Sequence, residues 1–360
     1  MSSALSVHLG LPEARIFGFP PEPHPPLIRP ASRMRFSWDR PVDIPSTIYS
    51  FSLDARLPIL TACFYITFVY VLNHFNKRRQ YRPWPITRTA SFTYFAFAHN
   101  LLLSLFSAWI FLGVCRTVIS SLPPQPSAPY HVAEAFCRFD LSEYSKSHNT
   151  LLPLTVHDGG FSRAYQVKSL WESGMDYYTW MFYISKYYEI MDTLLLLVKG
   201  KKVSFLQMYH HAGAIICTWV GFLYRTPQGV VGVSLNTGIH TLMYLYYSLT
   251  TLKIKVPAFI KRTLTRLQIA QFILGALASW LYIFISYDSP IDASLVPTED
   301  KSDNQTHIKR GGESNAIPCM NNSGQVFALM LTTLYLIPLT QLFLRFFGRT
   351  YKLETKKKAI

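Results

Sequence analysis

Charged residues are scarce in this sequence, and acidic ones are scarcer than basic ones. Asp, Glu, Lys and Arg together make up 15% of the 360 residues, whereas a soluble domain averages about 25%. Hydrophobic residues account for 49% and aromatic residues for 15%. So little charge argues against a soluble protein, and the abundance of apolar residues indicates an integral membrane protein.

Apolar runs of about 20 residues, long enough to cross a bilayer as a helix, occur seven times. They cover residues 57–75, 91–115, 175–198, 204–224, 228–252, 265–287 and 325–347. The sequence therefore predicts an all-α, polytopic membrane protein with seven transmembrane helices, numbered here as spans one to seven. Span one has no ionisable residue before His74, so we expect it to be peripheral and to face lipid.

Basic residues are concentrated in every second loop. They cluster in residues 77–88, 199–202, 253–266 and 345–358, after spans one, three, five and seven. Because cytosolic loops carry an excess of Lys and Arg, this pattern predicts a lumenal N-terminus and a cytosolic C-terminus. It also accounts for the net charge of +15 without a nucleic-acid partner.

Two short motifs agree with this topology. Asn304 begins an Asn-Gln-Thr sequon in the predicted lumenal loop before span seven, which makes it a candidate for N-glycosylation. Lys358 and Lys357 lie third and fourth from the C-terminus, in the arrangement of a dilysine retrieval signal. Together they predict a multi-pass protein of the endoplasmic reticulum membrane.

Cysteine is rare, with five residues in the chain. Cys137 and Cys319 fall in the two long predicted lumenal loops. Since the lumen is oxidising, a disulfide between them is expected, and two free thiols are the alternative.

The chain is predicted to divide into three parts. Residues 1–55, with nine of the 23 prolines in the first 50 residues, are expected to be a disordered lumenal segment. Residues 56–350 form the seven-helix membrane domain, and residues 351–360 form a basic cytosolic tail.

Polar residues interrupt the apolar spans at regular helical spacing. Lys186, Glu189, Asp192 and Thr193 share one face of span three. The other polar groups are Asn100 in span two, Gln207, His210 and His211 in span four, Asn236, His240, Tyr244 and Tyr247 in span five, and Thr265, Gln268 and Gln271 in span six. Ionisable groups inside a membrane are costly and usually functional. At a rise of about 1.5 Å per residue, these groups converge in the cytosolic half of the bundle, while the lumenal half is apolar enough to enclose a long alkyl chain.

Four of these patterns have the form of family motifs. They are Lys-x-x-Glu-x-x-Asp-Thr at 186–193, Gln-Met-Tyr-His-His at 207–211, Asn-x-x-x-His-x-x-Met-Tyr-x-Tyr-Tyr at 236–247 and Thr-x-x-Gln-x-x-Gln at 265–271. Their order and types resemble the ELO family of very-long-chain fatty-acid elongases. Many members have His where this chain has Gln207, and the Gln variant resembles the box of lower-eukaryotic elongases that act on polyunsaturated chains. The resemblance implies that spans two to seven enclose an acyl tunnel.

The resemblance further implies a 3-oxoacyl-CoA synthase. Such an enzyme condenses a long-chain acyl-CoA with malonyl-CoA, releases carbon dioxide and CoA, and needs no cofactor or metal. The resemblance also implies partner reductases and a dehydratase that complete the elongation cycle. The enzyme would act on lipid in the bilayer. Whether the chain forms a homodimer is left open.

Chemistry suggests roles for the polar residues within that reaction. Imidazole is a competent acyl acceptor, so His210 or His211 is the expected nucleophile, with His240 as a second acid, base or acyl-handling group. Lys186, Asn236 and the tyrosines could stabilise the enolate formed by decarboxylation. Glu189 and Asp192 are expected to orient imidazoles, and the other polar residues, including Gln207, to bind or orient substrate.

Two other classes of function remain open. A histidine pair in such a membrane also suits a di-iron desaturase or hydroxylase, or a zinc hydrolase. A seven-span transporter or receptor could use the same charged groups to carry protons.

Overall fold

The computed structural model describes residues 7–25, 27, 29–30, 37–122, 132–133, 136–137, 170–288 and 316–358. Its α-helices with defined bounds are α1 (Ser46–Leu53), α2 (Arg56–Arg78), α3 (Ala90–Ser121), α4 (Asp176–Tyr188), α5 (Ile190–Val198), α6 (Phe205–Leu223), α7 (Gly229–Thr251), α8 (Ala258–Leu281) and α9 (Ser323–Lys358). The strands β1 (Val7–Leu9), β2 (Ile285–Asp288) and β3 (Ala316–Pro318) are short.

Each predicted span is mainly helical, although residues 285–287 at the end of span six belong to strand β2, and the largely helical membrane fold is confirmed. Among the described residues, α2, α3, α8 and α9 are long and apolar enough to cross a membrane, so seven crossings stay a prediction. The predicted limits of span six were wrong. Helix α8 begins at Ala258, after Pro257, because its first turns carry Lys261 and Arg262, which a search for apolar runs excludes.

Six of the predicted spans form a closed ring. Around it, α3 packs on α7, α7 on α8, α8 on α9, α9 on α6, α6 on α4, and α4 back on α3. Helix α2 lies outside the ring, against α5 and α6. One face of α2 is buried there, and Asn76 Nδ2 donates to the carbonyl oxygen of Leu197 at 2.8 Å. The opposite face, with Phe64 and Tyr70, is exposed, so span one is peripheral but does not face lipid on all sides.

A small sheet lies at one end of the ring, here named the sheet end. Strands β1 and β3 both pair antiparallel to β2. A disulfide joins Cys137 to Cys319, as the sequence led us to expect, and these cysteines belong to an apolar cluster that includes Ile16 and Met320. The opposite end, where Lys199 and Lys261 lie, is named the basic end.

The described part of the N-terminal segment is ordered, which contradicts the predicted disorder. Ile16, Ile44 and Tyr49 are 3%, 4% and 3% exposed. The Glu22 backbone N–H donates to Ser323 Oγ at 2.8 Å. The prediction rested on the average composition, which is rich in proline. It gave too little weight to a few widely spaced apolar side chains that bind this segment to the sheet end.

Candidate active site

Two cavities meet inside the ring. The apolar cavity has a volume of about 200 Å³ and extends towards the sheet end, between side chains such as Trp171, Phe182, Phe222, Val233 and Leu339. The polar cavity has a volume of about 560 Å³ and extends towards the basic end, between side chains such as Asp192, Lys199, Lys201, His211, Tyr247 and Lys261. His210, Gln271 and Phe272 line both cavities. These three residues therefore mark the junction.

His210 is held by a tyrosine of α9. Its Nδ1 lies 2.9 Å from the hydroxyl of Tyr335, and that hydroxyl donates to the carbonyl oxygen of His210 at 3.0 Å. Since the hydroxyl donates its only proton to the carbonyl oxygen, Nδ1 carries a proton and donates to the hydroxyl; in the neutral ring that a nucleophile requires, Nε2 is then unprotonated. The free lone pair is then on Nε2, which is the nitrogen available for attack.

A glycine allows α6 and α9 to approach closely enough for this contact. A Cβ atom added to Gly213 would lie 2.3 Å from the ring of Tyr335. Any larger residue would therefore push this ring away from His210. No residue of span seven was among the predicted site residues, so Tyr335 was missed. A tyrosine inside an otherwise apolar span was the available signal, because a buried hydroxyl usually has a partner.

His211 has a different partner on its own helix. Gln207 Nε2 lies 2.7 Å from Nε2 of His211, as the predicted spacing of one helical turn requires. Whether the amide donates to the ring or accepts from it, this ring nitrogen has no free lone pair. Tyr65 of α2 packs edge-on against the ring at a centroid distance of 6.2 Å. The two adjacent histidines are therefore not equivalent.

The break between α4 and α5 places a buried ion pair beside His240. Lys186 Nζ donates to Glu189 Oε1 at 2.6 Å and to Asn236 Oδ1 at 3.3 Å. The same carboxylate oxygen lies 3.9 Å from His240 Nδ1. The second oxygen, Oε2, is buried without a hydrogen-bond partner among the described residues. Two of the predicted motifs thus meet at Glu189.

Asp192 orients an imidazole, but not one of the box. Its Oδ1 lies 2.8 Å from His99 Nε2, and its Oδ2 accepts from the Tyr244 hydroxyl at 2.6 Å. His99 was not among the site residues predicted from the sequence. The signal was its place next to Asn100 in an apolar span, where we singled out the asparagine instead. Thr193, the next residue of the motif, bonds to Tyr65 at 2.8 Å.

The remaining predicted residues divide between the junction and its surroundings. Gln271 lies at the junction, and its Oε1 is buried with no partner in the described part of the chain. Gln268 and Tyr247 line the polar cavity. Gln268 Nε2 contacts Met243 Sδ at 3.2 Å, and the Tyr247 ring packs edge-on to that of Tyr244 at a centroid distance of 6.2 Å.

Two predicted residues are used by the helices themselves. Asn100 Nδ2 donates to the Ala96 carbonyl of its own helix at 2.8 Å, and Asn100 also lines the polar cavity. Thr265 Oγ1 donates to the Lys261 carbonyl at 3.1 Å. Asn304 lies outside the described residues.

The polar cavity has cationic walls that the sequence analysis did not assign to a ligand. Lys199, Lys201 and Lys261 all line it. Burial, followed by the neighbouring charge of Lys201, lowers the pKa of the Lys199 amine. Within the described ranges, no three His, Cys, Asp or Glu side chains form a group that could hold a metal ion.

Comparison with known proteins identifies the family. Residues 51–359 match the family model ELO, described as the GNS1/SUR4 family. The chain is 39% identical over 99 residues to long chain fatty acid elongase 1 of Caenorhabditis elegans, covering 28% of this chain and 34% of the relative. It is 33% identical over 109 residues to very long chain fatty acid elongase 3 of Homo sapiens, covering 30% and 40%.

A third relative is fatty acid elongase sre1 of Dictyostelium discoideum, 36% identical over 139 residues, with 37% of this chain and 50% of the relative covered. The aligned segments thus span between a third and a half of these relatives' lengths. The family model, in contrast, extends from before α2 to the last helix, across every motif of the site. The chain therefore belongs to the ELO (GNS1/SUR4) family.

Proposed function

We propose that this protein condenses a long-chain acyl-CoA with malonyl-CoA to give carbon dioxide, CoA and a 3-oxoacyl-CoA two carbons longer. The observation that carries the proposal is the position of His210 at the junction of an apolar and a cationic cavity. An acyl-CoA has an alkyl tail, a reactive thioester and an anionic nucleotide in that order. The three parts match the apolar cavity, His210 and the lysines.

The apolar cavity suits the tail in length and lining. Its wall follows α6 from His210 to Gly221, a distance of about 16 Å at 1.5 Å per residue. Its residues are mainly aromatic, aliphatic or small. The tail is then removed from water along its length, which is the main source of affinity for a hydrocarbon.

The polar cavity suits the CoA part. Lys199, Lys201 and Lys261 offer three cations to phosphate groups, and lysine binds phosphate as a point charge. The cavity also holds hydrogen-bonding side chains from α7 and α8, including Tyr247, Thr250 and Gln268.

The reaction is proposed to proceed in two halves. Nε2 of His210 attacks the thioester carbon, so that a C–N bond forms, the C–S bond breaks, and CoA leaves as a thiolate that takes a proton from solvent. Malonyl-CoA then loses its carboxylate as carbon dioxide, and the electron pair of the broken bond forms an enolate. The enolate carbon attacks the acyl group, the C–N bond breaks, and Nε2 regains its lone pair.

The buried Lys186–Glu189 pair is proposed to act on the enolate. An ammonium held by a carboxylate at 2.6 Å and by Asn236 is fixed before the reaction begins. Fixed charge in a site without bulk water stabilises developing negative charge strongly. His240, next to this pair, is proposed as the second acid/base group.

Seven membrane crossings, residence in the endoplasmic reticulum and a lumenal N-terminus belong to the same proposal. The Cys137–Cys319 disulfide at the sheet end supports a lumenal position for that end, because disulfides persist in oxidising compartments. The basic end, with the dilysine tail in the sequence, would then face the cytosol. Reductases and a dehydratase would act on the product to complete each cycle.

The test is a condensation assay on the full chain purified in detergent. With malonyl-CoA and a panel of saturated and unsaturated acyl-CoA substrates, we expect carbon dioxide release and a product two carbons longer, and neither with His210→Ala. Absence of product with every chain, from protein shown to be folded, would overturn the proposal. Stoichiometric iron or zinc in active protein would favour the desaturase, hydroxylase or hydrolase alternatives.

A further inference from the structure

We propose that residues 37–53, named here the N-terminal strap, form part of the closed end of the apolar cavity and limit the length of the acyl chain. This inference rests on the proposed function and assigns its chain-length limit to a particular segment. The strap includes α1 and the residues before it.

The strap is fixed to the sheet end of α3 and α4 by backbone carbonyls that accept from aromatic side chains. Tyr177 and Tyr178 hydroxyls donate to the carbonyls of Val42 and Asp39, each at 2.9 Å, and Trp109 Nε1 donates to that of Trp38 at 2.9 Å. Arg40 forms an ion pair with Asp176 at 3.2 Å. A segment held by so many bonds has a defined position.

Helix α1 is attached to the wall of the ring in the same way. Trp180 Nε1 donates to Ser52 Oγ at 2.9 Å, and the Tyr183 hydroxyl donates to the Ser52 carbonyl at 3.0 Å. Trp219 Nε1 of α6 donates to the carbonyl of Leu53 at 3.3 Å. These bonds place α1 directly behind α4 and α6.

Aromatic side chains connect the strap to the cavity wall. Tyr49 of α1 packs edge-on against Phe222 at a centroid distance of 6.2 Å, and Phe222 lines the apolar cavity. Phe222 also packs against Trp171 at 5.7 Å, and Trp171 lines the cavity as well. Tyr49 and Phe222 are 3% and 2% exposed. Tyr49 therefore supports, from outside the cavity, a ring that lines it, together with Tyr183, which stacks on Phe222 at 6.3 Å.

Most of the strap lies outside the part that this chain shares with its family. The family match begins at residue 51, two residues after Tyr49. The contact that Tyr49 makes with Phe222 thus comes from the N-terminal segment, whereas Trp171 and Tyr183, which also pack on Phe222, belong to the matched membrane domain. A chain-length limit set there can differ between two proteins with the same catalytic motifs.

The experiment measures the longest acyl chain accepted, by binding and by turnover, in a series of full-length variants. In Tyr49→Ala the backing of Phe222 is lost, and Phe222→Ala removes the wall itself. One methylene in an apolar pocket changes kcat/KM by about tenfold or more. For the first chain that the wild type rejects, we therefore expect kcat/KM relative to the best substrate to rise at least about tenfold in both variants.

Phe51→Ala is the matched control, because Phe51 lies on the same helix and is 63% exposed. It should leave the limit unchanged. If Tyr49→Ala does not fold, Tyr49→Leu keeps the apolar contact without the ring edge and should still move the limit.

Two results would overturn the inference. One is a limit that moves in Phe222→Ala but not in the Tyr49 variants, and the other is an equal shift in Phe51→Ala. Binding of acyl-CoA can be measured without condensation. The proposed condensation activity and the proposed role of the strap can therefore fail separately. A wild type that binds acyl-CoA but never condenses it counts against the proposed function, whereas an unchanged binding limit counts against the strap.

Discussion

The hydroxyl of Tyr335 lies 2.9 Å from Nδ1 of His210 and 3.0 Å from the carbonyl oxygen of the same residue. One oxygen of α9 therefore accepts from the ring and donates to the backbone of α6. In the neutral imidazole, this arrangement leaves the lone pair on Nε2, and the two bonds restrict rotation of the ring. Tyr335 is thus expected to position the reacting group without touching the substrate carbon.

Tyr335→Phe should lower kcat with little change in KM for acyl-CoA. It removes both hydrogen bonds of the hydroxyl, each worth about 1 kcal/mol, and lets the ring choose the other tautomer, so we expect a loss of about tenfold or more. Steady-state kinetics on the purified variant provide the measurement. Tyr209→Phe is the control, because the Tyr209 hydroxyl donates to the carbonyl of Tyr335 at 3.2 Å and leaves Nδ1 of His210 untouched. Equal losses in the two variants would contradict a tautomer effect.

Acyl transfer should occur on His210 and not on His211. With acyl-CoA alone, the wild type should release CoA and gain the mass of one acyl group. His210→Ala should do neither, whereas His211→Ala should still acquire the adduct, since Nε2 of His211 is occupied by Gln207. Intact-protein mass spectrometry followed by peptide mapping gives the answer. An adduct mapped to His211, or an unchanged mass of the wild type, would contradict the covalent assignment.

Removing one member of the buried Lys186–Glu189 pair should cost more stability than removing both. Lys186→Met leaves a buried carboxylate without its cation, which costs about 3–5 kcal/mol. Lys186→Met with Glu189→Leu removes both charges and should recover most of this loss. Thermal unfolding in detergent measures the difference, and neither variant should condense substrate. A double variant as unstable as the single one would show that the pair is not coupled.

As the pH rises, the affinity for acyl-CoA should begin to fall at a lower pH than it would if Lys199 had the pKa of an ordinary lysine. An unperturbed lysine has a pKa of about 10.4, and burial, assisted by Lys201, lowers that of Lys199. Its charge is present at low pH and is lost as the pH rises through this lowered pKa, so the KM for acyl-CoA should increase there. In Lys199→Arg the charge persists, and the increase should move to higher pH. Coincident pH profiles for wild type and Lys199→Arg would exclude Lys199 from phosphate binding.

Contacts along one helix were predictable from the sequence, whereas contacts between distant helices were not. Gln207 and His211, four residues apart, are hydrogen-bonded as helical geometry requires. In contrast, His99 and Asp192 meet across 93 positions of the chain, and Tyr335 reaches His210 across 125. The positions of the polar residues along each span predicted how deep they lie in the membrane. Which polar faces meet is decided by the order of the helices around the ring, which the sequence does not show. The burial of Tyr49 depends on individual contacts, such as the one with Phe222, which the average composition of the segment cannot reveal.

The position of His210 between the two cavities also has a kinetic consequence. An alkyl tail that enters from the basic end must pass the reacting imidazole before the thioester can arrive, so loading occurs tail first. Malonyl-CoA would occupy the same polar cavity and needs the CoA of the first substrate to have left it. The two substrates should therefore bind in a fixed order, with release of the first CoA separating them. Parallel lines in double-reciprocal plots are the expected pattern.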